Sequence, residues 1–427
     1  MHPSPRPMLL RILHRTCYRY QGPVDHAQHM LHLSPVDTAV QQVLSHTLRI
    51  TPEPAAQSQA RDAFGNLRSF FTLQAPHESL CVEADSLVQT QTPAPLPIVA
   101  AAATTATAAT AATAAATAGA TAAAAPSIPA AAPPALSIVP SSAASDLATA
   151  DAPPADAPPA NAPPSPAWHA PWQAPWEAVR EHYRYRAGAP YDAASEFLFA
   201  SPHVPRDDAF AAFARPAFAP GTPLLAAAQA LMERIHHALR YSPASTQVNT
   251  PALQALAQRK GVCQDFAHIM LGCLRSLGLP ARYVSGYLLT RPPPGKPRLI
   301  GADASHAWVG VYVPWIAAHA HAAPLPDDTD PMSAALHTQA QQAGGSWFDF
   351  DPTNRRSGWG SPGADYVTLA VGRDFSDVSP MRGVIQGGGA HELEVGVTVA
   401  PPEELQALLA RRADEAGARD TKTQPPR

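Results

Sequence analysis

The chain has few cysteines, no large excess of charge of either sign and almost no long aliphatic runs. Its 427 residues include 30 Lys and Arg against 34 Asp and Glu, a formal charge of −4. That balance lacks the basic excess of a nucleic-acid-binding protein, so no nucleic-acid partner is predicted. The four cysteines are far apart, at Cys17, Cys81, Cys263 and Cys273. They suggest neither a disulfide framework nor a CxxC metal pair, which predicts a reducing compartment.

Hydrophobic segments of the length used for export or membrane insertion are also missing. Near the start, the only apolar run is Met8 to Leu10, which ends at Arg11. A signal peptide needs an apolar stretch of about 7–15 residues. Apart from an alanine-rich tract, nothing approaches the roughly 18 apolar residues of a membrane helix, and Ala and Thr are poor substitutes for Leu and Ile there. We therefore expect a cytoplasmic protein without a membrane partner.

Proline and alanine are concentrated in one segment that divides the chain. From about residue 93 to 166 the sequence is nearly all Ala, Thr and Pro, and it lacks aromatic residues. Such a composition cannot bury enough apolar surface to offset the entropy of ordering, so a disordered linker is predicted. The predicted domains are an antiparallel β domain (1–92), this linker (93–166), an irregular connecting segment (167–222), a catalytic core (223–400) and a C-terminal tail (401–427).

Periodicity and turn signals predict the elements of both folded parts. The first part contains short β segments, and Asp62 to Leu67 is typical of a hairpin turn. In the second part, apolar residues at three- and four-residue intervals predict two helices, and the segments that follow predict strands. The predicted helices cover 223–240 and 262–277, and the predicted strands cover 281–290, 306–313 and 346–350.

Cys263 stands in the first turn of the second predicted helix, within Gly-Val-Cys-Gln-Asp-Phe (261–266). Unpaired backbone N–H groups and the helix dipole favour a thiolate there, whereas a free thiol with a pKa of about 8.5 is mostly protonated at neutral pH. The same N–H groups can stabilise an oxyanion. The alternative is a cysteine that only packs in the core. Cys273 fits that alternative because it shares the apolar face of the helix.

A base and an orienting acid follow on the predicted strands. His306 begins the strand of Ser-His-Ala-Trp, and Asp351 ends the next strand just before Pro352. Consecutive antiparallel strands can place this carboxylate beside the imidazole, where it fixes the ring's tautomer. Asp349 lies on the same face of its strand and is the competing candidate. Tyr241, shortly before the cysteine, is a further candidate donor to an oxyanion, although an ordinary packed tyrosine is the simpler interpretation.

The motifs occur together in the order of a known family. Gly-Val-Cys-Gln-Asp-Phe-Ala-His (261–268), Arg-Tyr-Val-Ser-Gly-Tyr (282–287), Ser-His-Ala-Trp (305–308) and Asp-Pro-Thr-Asn (351–354) resemble the core of the bacterial transglutaminase-like superfamily. The resemblance covers about residues 241–399, and residues 8–90 resemble the β domain that precedes this core in many members. It implies an α+β fold like that of papain, with Cys263, His306 and Asp351 as catalytic residues. The departures are the Ala/Thr/Pro segment and a long loop over 316–345.

This site predicts an enzyme that attacks an amide or ester carbonyl and forms an acyl-thioester on Cys263. Water as acceptor gives a peptidase or amidase, and a lysine amine gives transamidation. Abundant water favours hydrolysis unless a tunnel excludes it, so a hydrolytic cysteine peptidase or amidase with a protein or peptide substrate is predicted. No cofactor and no metal site is predicted. The alternatives are transamidation, a non-catalytic protein-binding scaffold, and an adaptor in which the β domain does the binding.

Overall fold

A computed structural model describes residues 7–96, 171–243, 249–292, 298–301, 305–315 and 344–422. The predicted linker beyond residue 96 and the long loop over 316–343 lie outside these described residues. None of the helices in the described ranges combines the length and the hydropathy needed to cross a lipid bilayer.

Most strands lie in the first and last parts of the chain, and most helices lie between them. The strands are β1 (Met8–Leu31), β2 (Gln41–Thr51), β3 (Ala56–Arg61), β4 (Leu67–Leu73), β5 (His77–Thr90), β6 (Arg240–Tyr241), β7 (Lys260–Gly261), β8 (Ala281–Leu288), β9 (Ser305–Pro314), β10 (Gly345–Asp351), β11 (Arg356–Trp359), β12 (Tyr366–Gly372), β13 (Met381–Gly387) and β14 (His391–Ala400). The α-helices are α1 (Trp176–His182), α2 (Asp208–Ala214), α3 (Leu224–Ala238), α4 (Ala252–Gln258), α5 (Cys263–Ser276), α6 (Phe375–Val378) and α7 (Pro402–Lys422).

The first sheet is antiparallel and is built around the long strand β1. β4 and β5 follow one another along one side of β1, and β13 and β14 follow one another along the other side. His29, for example, pairs with Phe71 on one side and with Gly383 on the other. β2 and β3 then pair with β5 and β4. The predicted antiparallel β domain is confirmed, and the predicted turn at Asp62 joins β3 to β4.

The sheet also includes strands that were assigned to the catalytic core. The predicted core ran to residue 400, but β13 and β14 hydrogen-bond to β1 and not to the core sheet. The core sheet ends with β12 at Gly372. Alternation within a strand indicates which side chains face the interior but not which strand it pairs with, so the sequence pattern could not place this hairpin.

Two of the cysteines form a disulfide, which corrects the expectation that the cysteines are unpaired. Cys17 of β1 and Cys81 of β5 lie directly opposite each other in the ladder and are bonded. They are 64 residues apart in sequence, so spacing gave no signal for the pair. Disulfides persist mainly in oxidising compartments. The cysteine pattern therefore no longer supports a reducing compartment.

The second sheet has five antiparallel strands in the order β11-β10-β9-β8-β12. The helix α5 packs on one face of this sheet, against the apolar side chains of Ala307, Val309 and Val311 of the central strand β9. This face and the helices α2, α3 and α4 form the largest hydrophobic core of the described residues. The fully buried Cys273 belongs to that core, as its position on the apolar face predicted.

The segment predicted to be irregular contributes to this core. Residues 171–222 contain α1, α2 and three short 3-10 helices. Their aromatic side chains are buried in the same cluster as α5: Trp176, Phe210, Phe213 and Phe218. Short elements separated by proline give little periodicity, which explains why the segment was predicted as an irregular connection with short helical pieces.

The N-terminal sheet packs against β8 and β12 of the core sheet. Apolar residues of β1, β5 and β14 pack against Tyr287, Val367 and Leu369 of β8 and β12. The amide of Gln41 makes two hydrogen bonds to the backbone of Thr368, at 2.8 and 2.7 Å. These contacts fix the N-terminal sheet against β8 and β12 of the core sheet.

Candidate active site

The first turn of α5 is organised by Gly261 and Asp265. The Asp265 carboxylate is buried and accepts a hydrogen bond from the Val262 N–H at 2.8 Å. A Cβ added at Gly261 would lie 2.6 Å from Asp265 Oδ2, so only glycine allows this carboxylate to fold back over the chain. Local contacts within the Gly-Val-Cys-Gln-Asp motif therefore determine where the helix begins.

Cys263 is the first residue of α5 and is partly exposed. Because Cys263 is the first residue of the helix, its backbone N–H has no carbonyl acceptor within α5. This N–H therefore points out of the start of the helix, at the positive end of the helix dipole. Cys273 lies in the same helix but is fully buried, and burial raises the pKa of its thiol above its usual range. Of these two free thiols, only that of Cys263 is placed to react.

His306 lies between the thiol of Cys263 and the carboxylate of Asp351. Its Nε2 is 2.7 Å from Asp351 Oδ2, and its ring also makes a hydrogen bond to the Cys263 side chain. Because Nε2 faces the carboxylate, Nδ1 is the nitrogen left for the thiol proton. The structure thus brings together the three residues that the sequence predicted, from α5, β9 and β10.

Asp351 is fully buried and receives several hydrogen bonds. Tyr366 Oη donates to Oδ2 at 2.7 Å, and Asn354 Nδ2 donates to the same oxygen at 2.8 Å. The backbone N–H of Thr353 donates to Oδ1 at 2.8 Å. Burial alone would raise the pKa of Asp351, but the hydrogen bonds from His306, Tyr366 and Asn354 outweigh it and lower this pKa below its usual range. Asp351 is therefore held as a carboxylate.

The electrostatics of His306 favour the imidazolium. Burial by itself lowers the pKa of His306, but the hydrogen bonds and charges of Asp351 and Cys263 outweigh it and raise the pKa to about 10. A protonated imidazole next to the thiol stabilises the thiolate, which is the nucleophilic form of cysteine. The arrangement can therefore hold a thiolate–imidazolium pair near neutral pH.

Asp349, the competing acid, has different neighbours. It lies on the same face of β10 as Asp351 and is also buried, but it lies opposite Gly310 of β9 in the ladder, and Arg282 of β8 lies on the other side of that glycine. It makes no hydrogen bond to His306. The strand continues to Asp351 before Pro352 turns the chain, and this extra length brings the later carboxylate to the histidine.

Tyr241 lies beside the start of α5 but shows no hydrogen bond that would assign it a role. It belongs to the short strand β6, which pairs with β7 immediately before Cys263. Its side chain is about half exposed, at 51%, and its ring is 6.4 Å from that of Phe266. Partial burial and then the charge of Cys263 raise the pKa of its phenol. It is thus near the thiol, and its part in oxyanion binding stays a prediction.

Three residues at the site were not predicted as functional. Tyr366 begins β12 and has no local sequence feature that distinguishes it from a packed tyrosine. Asp265 was only part of the Gly-Val-Cys-Gln-Asp-Phe motif, although its position three residues after Val262 is the spacing of a helix-capping acid. Asn354 was part of the Asp-Pro-Thr-Asn motif, but no role followed from that. In the ranges that the structure covers, no group of three or more His, Cys, Asp or Glu side chains could hold a metal ion.

Two families of known proteins match the two folded parts of the chain. Residues 10–89 match the bacterial transglutaminase-like N-terminal region, and residues 211–352 match the transglutaminase-like superfamily. The chain belongs to the transglutaminase-like superfamily. The second match includes all three residues of the Cys263 site.

One relative of this superfamily member matches most of its length, and a second matches a shorter part. It is 31% identical to the uncharacterized protein Rv2569c of Mycobacterium tuberculosis over 395 residues, which are 92% of this chain and 93% of that one. It is 35% identical to the uncharacterized protein ML0607 of Mycobacterium leprae over 164 residues, 38% of this chain and 45% of that one.

A solved structure shares the fold of this transglutaminase-like protein. It is a protein from Cytophaga hutchinsonii that is provisionally named a cysteine protease. The match has a TM-score of 0.54 and 16% sequence identity, and it covers 94% of this chain and 92% of the other. At that identity the likeness concerns the fold alone.

Proposed function

We propose that this protein is a thiol-dependent acyl-transfer enzyme that acts on peptide or other amide bonds, with Cys263, His306 and Asp351 as its catalytic residues. The observation that carries the proposal is the position of His306, which is hydrogen-bonded to Asp351 at 2.7 Å and to the Cys263 side chain. A nucleophile, a base and a buried group that orients the base are the parts that this chemistry requires.

In the first half of the reaction, the Cys263 thiolate attacks the carbonyl carbon of the substrate. The carbonyl π electrons move to oxygen, and the Cys263 N–H at the positive end of α5 stabilises that oxyanion. The tetrahedral intermediate collapses as the C–N bond breaks, and the His306 imidazolium gives its proton to the leaving amine. The products are a thioester on Cys263, a free amine and a neutral imidazole.

In the second half, neutral His306 takes a proton from the acceptor as the acceptor attacks the thioester. With water as acceptor, the C–S bond breaks, the acid is released and the thiolate–imidazolium pair is restored. With a primary amine, the same steps give a new amide. We favour hydrolysis, because water is abundant and an amine can compete only where a site binds it and excludes water.

The test is product analysis with the purified full-length chain. A library of synthetic peptides is incubated with the protein, with and without a fluorescent primary amine, and the products are separated and identified by mass spectrometry. Hydrolysis adds 18 Da of water in total across the fragments of each cleaved bond, whereas transamidation links the fluorophore to a glutamine side chain. Cys263→Ala should abolish either product, and the matched variant Cys273→Ala should retain it. Turnover by the Cys263→Ala variant would contradict the proposal. The proposal would also be contradicted if the folded wild-type chain showed no turnover while a thiol probe labelled Cys263 readily.

A further inference from the structure

His306 has a buried aromatic neighbour on its own strand. His306 and Trp308 occupy alternate positions of β9, so their side chains project from the same face of the core sheet. The two rings are close to parallel, with 29° between their planes and 6.2 Å between their centroids. Trp308 is fully buried, and the side chain of His306 is 10% exposed. The imidazole therefore packs against the indole on the side that faces the protein interior.

Trp308 also contacts the tyrosine that holds Asp351. The rings of Trp308 and Tyr366 meet edge to face, at 83° and with 5.4 Å between their centroids. The rings of Tyr366 and His306 are 5.9 Å apart, and both hydrogen-bond to Asp351 Oδ2. Such ring pairs are most favourable with centroids about 4.5–7 Å apart. A single indole thus packs against both rings that bind this carboxylate oxygen.

The neighbouring strand β8 determines where the indole lies. Val284 is opposite Trp308 in the ladder and belongs with it and Tyr366 to a small buried cluster. Gly286 is opposite His306, and a Cβ added there would be 2.6 Å from Cη2 of Trp308. The indole therefore lies directly against the backbone of β8, in space that any other residue at position 286 would fill.

The polar end of the indole lies beside the second acid of β10. Asp349 is 2% exposed, and burial raises its pKa to about 6. The charge of Arg282 and a hydrogen bond from Trp308 oppose this effect of burial only in part. Buried polar groups are normally hydrogen-bonded, and the carboxylate accepts from the indole N–H here. Asp349 thus anchors the ring that packs against His306, although it does not reach the imidazole itself.

We propose that Trp308 is a positioning residue of the active site, whose ring fixes the plane of the His306 imidazole and the phenol of Tyr366 and favours the charged imidazolium. This role rests on the proposed function, in which His306 is the base. A fixed ring plane keeps Nε2 on Asp351 and Nδ1 towards the thiol of Cys263. The face of an indole also attracts a cation within about 6 Å, so the protonated ring gains more from this contact than the neutral ring.

The test compares Trp308→Leu and Trp308→Phe with the wild type, all as full-length chains. Two properties are measured: the rate at which iodoacetamide alkylates Cys263 at pH 6.5, and the NMR titration midpoint of the His306 ring. In Trp308→Leu the midpoint should fall by about 0.5–1.5 pH units, and alkylation should slow by at least about 3-fold. Trp308→Phe keeps an aromatic face and should change both less. Neither measurement needs a substrate, so its failure is distinct from a failure of the proposed function.

The same substitutions at Trp359 separate positioning from general packing. Trp359 of β11 is also buried in the core sheet, and its indole N–H donates to Ser346 Oγ at 2.6 Å. Trp359→Leu should lower the free energy of unfolding but leave the alkylation rate and the His306 midpoint as in the wild type. If Trp308→Leu does not fold, Trp308→Phe and Trp359→Phe are compared instead. Wild-type values of both properties in a folded Trp308 variant would overturn the proposal, as would equal changes in the matched Trp359 variant.

Discussion

The phenol of Tyr366 donates a hydrogen bond of 2.7 Å to Asp351 Oδ2, the same oxygen that lies 2.7 Å from His306 Nε2. Tyr366 is itself held from the other side, since Arg356 stacks on its ring and forms an ion pair with Asp365. The carboxylate that is hydrogen-bonded to His306 is therefore fixed by a residue of β12. This strand lies at the edge of the sheet opposite β11 and is not adjacent to β10, the strand of Asp351.

Tyr366→Phe should lower kcat without a comparable change in KM. The variant removes one hydrogen bond to a buried carboxylate, worth about 1.5–3 kcal/mol, and a loss expressed fully in the transition state corresponds to about 10–100-fold in rate. Steady-state kinetics on a cleaved peptide would measure it. Tyr287→Phe is the matched control, because its hydroxyl pairs with His14 at 2.8 Å and not with the site. Equal losses in the two variants would argue against a positioning role.

Asp351→Asn and Asp349→Asn should differ strongly in activity. The first replaces the carboxylate that holds His306 and stabilises the imidazolium, a change that costs about 10⁴ in rate in a serine protease. The second changes only the acid beside Arg282. We expect a drop of orders of magnitude in kcat for Asp351→Asn and a far smaller one for Asp349→Asn, with circular dichroism confirming that both remain folded. The reverse order would show that the orienting acid has been misassigned.

Cys263 should be alkylated first when the folded protein is treated with a limited amount of iodoacetamide at pH 6.5. It is partly exposed beside a protonated imidazole, whereas Cys273 is buried and Cys17 is bonded to Cys81. Peptide mapping without prior reduction would identify the labelled residue. His306→Gln should slow the labelling, since it removes the charge that stabilises the thiolate. Faster labelling of Cys273 than of Cys263 is the result that would refute this assignment.

The protonation of His306 should persist well above neutral pH. Burial opposes the charge, but the bonds to Asp351 and Cys263 raise the pKa to about 10, compared with about 6.5 in an unfolded chain. The stability that comes from the protonated ring is therefore fully present below about pH 6.5 and is lost as pH rises through about 10. For Asp351 the pKa is lowered, so its contribution is present above about pH 4 and is lost as pH falls through the lowered value.

This prediction can be checked by following the imidazole carbon-bound protons of His306 in NMR spectra between pH 5 and 11. In the wild type we expect no titration step for this ring near neutral pH. In Asp351→Asn the midpoint should fall, because an amide supplies no negative charge to the ring. A midpoint near 6.5 in the wild type would contradict the charged pair.

Gly261→Ala should destabilise the protein and disturb the start of α5. The added Cβ would lie 2.6 Å from Asp265 Oδ2 and 2.7 Å from Asp265 Cβ, so the capping carboxylate must move. Overpacking of this kind costs about 1–3 kcal/mol. Chemical denaturation would give the difference in unfolding free energy. Gly22→Ala is the control: no atom lies within 4 Å of a Cβ there, and its stability should be nearly unchanged.

Much of the site could be predicted because its parts are local. The helix of Cys263, the strand of His306 and the strand of Asp351 each show the periodicity and the end signals of their type, and the predicted bounds differ from those of α5, β9 and β10 by about one residue. The choice of Asp351 over Asp349 was harder, since both share one face. It rested on the turn at Pro352 and on the family motif, and the structure places Asp351 at the histidine.

The sequence by itself predicted the helix of Cys263 and the strands of His306 and Asp351, and it singled out these three side chains as a group, because dihedral preferences, capping and the order of motifs act between near neighbours. Only the tertiary structure decided which distant strands pair. That pairing joins Cys17 to Cys81, adds β13 and β14 to the first sheet, brings Tyr366 to Asp351 and sets Arg282 beside Asp349. The physical reason is that alternation along a strand specifies its buried face, whereas its neighbour is selected by the packing of the whole core.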